Sequence, residues 1–399
     1  MSALPRPLEG VRVLEVATFI AAPFCGTILS DFGAEVIKIE QPGLGDPLRQ
    51  FGTPSECGDS FTWLSEARNK KSVTLDLRLA EGAALFRDLA RSSQVVLENF
   101  RPGTMEAWGV GYEDLKAINP TLVMLRVSAY GQTGPMRDKP GFARVAHAFS
   151  GLSHLAGMPD GPPVAPGSTS LADYCSGLWG AVGVLMALRV AERTGEGQFV
   201  DIGLYESMFR LLDELAPVYQ KTGAVRGRMG AEVAHVVPHG HWLAADGKWV
   251  ALACSSDKIF ARFAAIIGKP ELADAYSSGP ARIAGREAVN RAVAEWVGGL
   301  PATEAIAICN AAGVPCGPIL DIADIFRDPQ YRERGNLATV DDPRIGGLVV
   351  PSGMPRLSAT PPALQFLGRA LGADTDAVIG GILGLGRESL DALARRRVI

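Results

Sequence analysis

The chain opens with a strand, a helix and a second strand in quick succession, and that order limits the fold more than any other feature. "GVRVLEVA" (10–17) is a short apolar run suited to a buried strand, "APFCGTILSDFG" (22–33) reads as a helix closed by glycine, and "AEVIKIEQP" (34–42) as a strand stopped at proline. Strands joined through a helix run parallel, because the crossover carries the chain back to the starting edge. The phrase repeats more loosely in "SVTLDL" (72–77), "AEGAALFRDLARS" (80–92), "QVVLENF" (94–100), the helical stretches "TMEAWG" and "YEDLKAIN", and "LVMLRVSAYG" (122–131). Such alternation predicts a doubly wound α/β domain whose mostly parallel sheet is covered on both faces.

A long helix follows at about 174–193, and "GQFVDIGLYESMFRLLDELAPVYQ" (197–220) reads as a strand and another helix. "KTGAVRGRMGAE" (221–232) is rich in glycine and charge and reads as a linker. Beyond it, "HWLAADGKWVALAC" alternates around Asp246 and Gly247, a hairpin signal, and helical segments complete a smaller α+β domain. The proline-rich tail "LVVPSGMPRLSATPPALQFLG" is expected to rejoin the first domain. The expected division is 1–222 for the large domain, 223–328 for the small one and 329–399 for the return. A chain of 399 residues, 47% hydrophobic, can bury a core of that size.

Charge excludes some partners. Asp and Glu exceed Lys and Arg by 43 to 39 with no long block of either sign, so nucleic acid is not an expected ligand. The six cysteines show no C-x-x-C pairing, and the start of the chain lacks a basic segment followed by a long apolar one; both predict a cytoplasmic protein with free thiols. The run from Leu178 to Ala191 is short for a membrane span and carries Arg189, so it is expected to be a buried helix rather than a membrane partner.

Glu40, at the end of the second strand, invites a dinucleotide reading, but the first turn is "ATFIAAPF" and lacks the glycines that admit a pyrophosphate. "GLGD" (43–46) has glycines after the wrong strand. "HVVPHGH" (235–241) has three histidines without a ligand-spaced partner set, which reads as a loop entering the hairpin and predicts no metal site. No G-x-S-x-G elbow occurs. Asp173 stands out: Ser170-Leu-Ala-Asp173 fits a capping box at the start of a helix. The positive end of the helix would favour its ionised form, which is also the nucleophilic one. Gly177, Gly180, Ala181 and Gly183 strip that helix of side chains, so a backbone or a ligand can approach it. The structural and chemical readings of Asp173 are compatible.

Taken together, "LEGVRVLEVATFIAAPFCGTILSDFGAEVIKIEQPGLGDPLR", "RNKKSVTLDL", "ENFRPGTMEAWG", "SAYGQTGP", "KPGFARVAHAFSGL", "GPPVAPGSTSLADYCSGLWGAVGVLMAL", "TGEGQFVDIGLYESMF" and "ADGKWVALAC" resemble the class III coenzyme A transferases. This CaiB/BaiF type includes formyl-CoA transferase and alpha-methylacyl-CoA racemase. The resemblance implies a Rossmann-like large domain built from both chain ends, a small domain between them, and an interlocked homodimer. It makes Asp173 the nucleophile. Coenzyme A, a substrate rather than a tightly bound cofactor, would lie against Thr18, Phe19, Ala21, Gln41, Asn69, Lys70, Asn99, Phe100, Arg101 and Tyr130, with Lys70 and Arg101 pairing its phosphates. Oxyanion donors are sought at Ala21, Ala22 and the turn at Tyr130 and Gly131.

The chain departs from formyl-CoA transferase at Ile20, Gln41, Ala107 and Trp108. A racemase branch needs a second base, and Gly141-Phe142-Ala143 stands where that branch has Gly-His-Asp, with His147 displaced from the position. "GLYESMFR", "RGRMG" and "VPHGHW" resemble the subgroup that moves coenzyme A from succinyl-CoA to small dicarboxylates. Ile20, Arg144, Arg228, His239 and His241 are the candidate substrate contacts, with Arg226 in the same set. A catalytically inactive subunit of a hetero-oligomer is the rival of a different class.

Overall fold

The computed structural model describes residues 4–167 and 169–399. The chain forms two compact units, one of Met1–Leu152, Ala165–Gln220 and Gln330–Ile399, the other of Ser153–Val164 and Lys221–Pro329. The short excursion Ser153–Val164 has no counterpart in the sequence-based division.

In the larger unit the strands are β1 (Arg12–Glu15), β2 (Glu35–Glu40), β3 (Lys70–Thr74), β4 (Val95–Glu98), β5 (Val123–Ser128) and β6 (Phe199–Gly203). They pair in the order β3-β2-β1-β4-β5-β6, every pair parallel. The order reverses between β1 and β4, and a crevice opens at the carboxyl ends of strands flanking such a point. The intervening helices are α1 (Ala21–Asp31), α2 (Phe61–Glu66), α3 (Ala80–Ala90), α4 (Thr104–Ala107), α5 (Tyr112–Lys116), α6 (Ala143–Phe149), α7 (Leu152–Leu155), α8 (Leu171–Thr194) and α9 (Leu204–Phe209).

Strand side chains alternate between the two faces of a sheet, which explains the two cores of this one. Val13, Val36, Val95, Leu97, Val123 and Leu125 pack under α1, α6, α8 and α9. Leu14, Ile37, Ile39, Val96 and Met124 face the opposite layer, where α3 is joined by Val378, Ile379, Leu390 and Leu393 from the last two helices, Thr375–Leu383 and Arg387–Arg395. The C-terminal return therefore completes the second layer. A hairpin pairing Leu337–Asp342 with Gly346–Pro351 precedes it, an element that the proline-rich sequence did not announce.

The glycines of α8 admit protein rather than ligand. A Cβ at Gly177 would lie 2.7 Å from the Ala21 carbonyl oxygen and 2.8 Å from Phe24 Cβ, one at Gly180 2.7 Å from Leu125 and one at Gly183 2.7 Å from Val200. The helix thus sits on α1, β5 and β6 at backbone distance, which repays the roughly 1 kcal/mol of helix propensity that each glycine costs. The opposite face is open, with Leu178 51%, Trp179 42% and Met186 66% exposed. The expectation of a buried helix is met on one face: α8 is long and apolar enough by composition to cross a membrane, and it packs on the sheet along one side while the other is uncovered.

In the smaller unit, β7 (His239–Leu243) and β8 (Trp249–Ala253) form the expected antiparallel hairpin, with Gly247 at φ +77° in its turn. A third strand, β9 (Cys316–Pro318), joins β8 and was not foreseen. Trp242, Val250, Leu252, Phe260, Phe263 and Val293 form the core.

Candidate active site

The loop from β1 to α1 lies where the strand order reverses, and buried charge fixes its shape. The Lys38 ammonium binds the Ala17 carbonyl oxygen and pairs with Asp46 at 2.6 Å and Glu15 at 3.3 Å. Lys70 pairs with the same Glu15 at 2.9 Å and donates to the Pro23 carbonyl oxygen at 2.7 Å. All four side chains are buried. Burial pulls the Lys70 ammonium below its ordinary pKa; at Lys38 burial acts the same way, but Asp46, Glu15 and Glu40 outweigh it and the net direction is upward. Asp46 then accepts from the Phe19 N–H at 3.1 Å, which holds Phe19 in a left-handed conformation at φ +59°. Asn99, just past β4, accepts from the Thr18 N–H at 2.8 Å and donates to the Thr18 carbonyl oxygen at 2.7 Å.

Beside this loop lies a cavity of about 550 Å³, within the range of small-molecule sites, and Thr18, Gln41 and Phe100 line it. These are the sequence-predicted contacts that the fold brings together. It adds residues the sequence reading missed: Leu44, Gly45 and Asp46 from the dismissed "GLGD" segment, Gln50, and Arg78 beside Asp76; Trp108, noted in the sequence only as a departure from formyl-CoA transferase, also lines it, its ring meeting Phe100 edge to face at 5.2 Å. The aromatic pair offers a flat apolar wall and Arg78 a cation at the rim. Glycines and an acid in a loop were the only sequence signal for the first group.

Several expected contacts have other work. Lys70 is directed into the buried charge cluster, so its ammonium is not offered to a phosphate. Asn69, at φ +60°, donates to Asp31 at 3.0 Å and to the Ala363 carbonyl oxygen at 2.8 Å and accepts from the Gln365 N–H, tying β3 to the returning chain. Glu40 makes a bidentate pair with Arg49 at 2.7 and 2.8 Å, so it is not held out for a ribose. Arg101 is exposed and has no ion partner among the described residues. Tyr130 packs against Phe149 and Tyr205, and the following turn is pinned where the Gln132 N–H reaches Asp201. Ile20 is buried and, as the residue before α1, gives that helix no side-chain cap; Ala21 and Ala22 begin its first turn.

Asp173 lies in the first turn of α8. The expected capping box is not formed: the Ser170 side chain makes no cap bond, and the Asp173 N–H reaches the Ser170 carbonyl oxygen at 2.9 Å. Burial raises the Asp173 carboxyl from 3.8 to about 6. The helix terminus does not hold it low; desolvation of the charged form prevails. The next residue, Tyr174, meets Phe24 of α1 edge to face at 4.8 Å, and together with Gly177 this seats the start of α8 on the first turn of α1. His147 is buried on α6 and bonds to the Ala172 N–H at 3.0 Å. Arg144, on the same helix, is exposed.

In the smaller unit, Arg228 donates to the His154 carbonyl oxygen at 3.3 Å. His239 and His241 lie on β7 rather than in a loop, where they line a second cavity of about 470 Å³ with Cys316 and Asn310. His235 bonds instead to Arg226 at 2.9 Å. No cluster of three or more His, Cys, Asp or Glu with metal-holding geometry occurs among the described residues.

The sheet order and the loop at its reversal define a doubly wound α/β protein with a crevice of nucleotide size and a desolvated carboxylate at a helix start. Residues 8–375 match the profile of CoA-transferase family III. The chain is 51% identical over 397 residues to the succinyl-CoA--L-malate CoA-transferase beta subunit of Chloroflexus aurantiacus, covering 98% of both chains. It is 42% identical to the succinyl-CoA--D-citramalate CoA-transferase of the same organism, covering 99% of this chain and 98% of that one. A crystal structure of a CAIB/BAIF family protein from Brucella suis superposes with a TM-score of 0.83 at 32% identity, over 95% of this chain and 100% of the other. The chain belongs to CoA-transferase family III and is a class III CoA-transferase.

Proposed function

We propose that the enzyme moves coenzyme A from succinyl-CoA to a small dicarboxylate bearing a hydroxyl group, such as malate or citramalate, with Asp173 as nucleophile. The observation that carries the substrate class is the 51% identity, over nearly the whole of both chains, to a relative named for succinyl-CoA and L-malate.

In this reading an Asp173 carboxylate oxygen bonds to the thioester carbonyl carbon as the C–S bond breaks, giving a mixed anhydride and CoA thiolate. The thiolate attacks the aspartyl carbonyl, succinate leaves, and an aspartyl-CoA thioester remains. The acceptor carboxylate attacks that thioester, releasing thiolate and forming a second anhydride, whose acceptor carbonyl the thiolate then takes, restoring Asp173. One thioester replaces another, so the sum is near thermoneutral and no tightly bound cofactor is required. Burial favours this role, because a poorly solvated carboxylate is easier to strip of water and to acylate. The cavity at Thr18, Gln41, Phe100 and Trp108 would hold CoA, with Arg78 and Arg101 as the cations available to its phosphates. Within the larger unit, Arg144 is the candidate for the acceptor's second carboxylate.

The uncovered apolar face of α8 supports assembly with another chain, which we take to be a second copy in an interlocked dimer; the naming of the 51% relative as a beta subunit favours, as a second reading, a paralogous partner. Native mass spectrometry of the chain expressed alone should give twice 42.1 kDa, and an inactive monomer that gains activity only with a paralogue would support the second reading. We place the enzyme in the cytoplasm, in line with its cysteine usage.

The decisive test is peptide mass spectrometry after incubation with succinyl-CoA and then hydroxylamine. A hydroxamate at Asp173 is expected; its absence, with acyl-CoA bound and turnover measured, would refute the nucleophile.

A further inference from the structure

The first turn of a helix carries N–H groups with no partner in the helix, and the residue before it normally supplies a side-chain acceptor. Ser170 occupies that place in α8 without capping. The acceptor comes instead from another helix: the Nε2 of His147 on α6 takes the Ala172 N–H at 3.0 Å. Ala172 immediately precedes Asp173. His147 is 2% exposed, its Nδ1 has no hydrogen-bond partner, and its own carbonyl oxygen accepts from Ser150 Oγ at 3.1 Å, fixing the end of α6. An Nε2 that accepts requires the neutral ring with its proton on Nδ1.

We infer that His147 is a positioning residue: by capping α8 through Ala172 it holds the Asp173 carboxylate at its angle of attack. The inference rests on the reading of Asp173 as nucleophile. Small displacements of a nucleophile are costly, because attack needs the reacting atoms in near-contact geometry. It also separates His147 from the role of a second base, since the nitrogen that would take a proton is committed to a backbone N–H. Protonation would turn the acceptor into a donor facing a donor and release the cap. Apart from Arg189, Glu192 and Arg193 at the far end of α8, the titratable and charged groups on the packed elements are Arg144 on α6, Asp173, Tyr174 and Cys175 on α8, and Tyr205 and Glu206 on α9. Burial first, then Arg144, lowers the histidine's pKa from 6.5, which favours the neutral ring that the cap requires.

Gln places its amide where Nε2 stands, Asn where Nδ1 stands, and Leu supplies bulk without an acceptor. The expected result in succinyl-CoA to malate transfer is a kcat about tenfold lower in H147L and H147N, with KM for both substrates within about twofold, and a kcat within about threefold of wild type in H147Q. A wild-type kcat in H147L, or equal kcat in the Gln and Asn variants, would overturn the positioning role. Should H147L fail to fold, the Gln and Asn pair decides alone. Hydroxylamine trapping on the wild type separates the two readings: a label at Asp173 with H147L at full rate overturns only the role of His147, whereas a label on another residue overturns that of Asp173.

Discussion

Replacing Asp173 by Asn should abolish transfer and make the protein more stable at neutral pH. The rise of the folded carboxyl from 3.8 to about 6 corresponds to about 3 kcal/mol at 1.36 kcal/mol per unit of pKa. The side chain keeps some contact with solvent, which reduces this to about 1–2 kcal/mol. A group whose pKa is raised on folding contributes nothing adverse below about pH 4, where both states hold the proton. Between about pH 4 and 6 the unfolded chain ionises first and the wild type loses stability; above about 6 the full penalty is present. Asn carries no charge and escapes it. Urea unfolding of both proteins at several pH values should show Asp173→Asn ahead by about 1–2 kcal/mol at pH 7.5 and the curves converging towards pH 4. A wild type at least as stable as the variant at pH 7.5, or a gap that does not close on acidification, would refute the argument that the Asp173 carboxylate is held in a desolvated, destabilised state.

Gly177→Ala puts a methyl within 2.7 Å of the Ala21 carbonyl oxygen and should cost about 1–3 kcal/mol in thermal or urea unfolding together with much of the activity, because it lifts the start of α8 off α1. The same change at Gly381, where a Cβ meets nothing within 4 Å, should instead stabilise by about 0.5–1 kcal/mol, so a loss at both sites would remove the explanation by close approach. Lys38→Met leaves Asp46 without its ammonium partner and Glu15 with Lys70 alone; urea unfolding should report a loss of about 3–5 kcal/mol, against less than about 1 for Arg91→Ala, which breaks an exposed pair with Asp88.

How far the site was legible depended on whether its signals were local. Periodicity marked β1, α1, β2, β4 and β5 correctly, since a half-turn or a 3.6-residue repeat is written into neighbouring residues. The hairpin about Asp246 and Gly247 was legible for the same reason. Strand β9, three residues long, carries no period to detect, and the hairpin at Leu337–Pro351 was obscured by the prolines around it. Asp173 stood out because a lone acid between a glycine-rich approach and an apolar helix is a local anomaly. Its cap did not, because the acceptor lies 25 residues away on another helix.

The sequence by itself determined the alternation of strand and helix, the two-faced burial of the sheet, and the membership of the chain in its family; that the glycines of α8 admit a backbone rather than a ligand came from the fold. Only the tertiary structure decided what each charge does. Lys70 and Asn69 read as ligand contacts but make internal ties, Asp46 was passed over and Trp108 noted only as a departure although both line the crevice, and Asp173 was expected to be kept ionised by its helix but is raised by burial. A side chain's periodicity is set by its neighbours along the chain, whereas its charge state and partner depend on solvent exclusion and on groups brought within 3 Å from distant segments, and those distances exist only once the chain has folded.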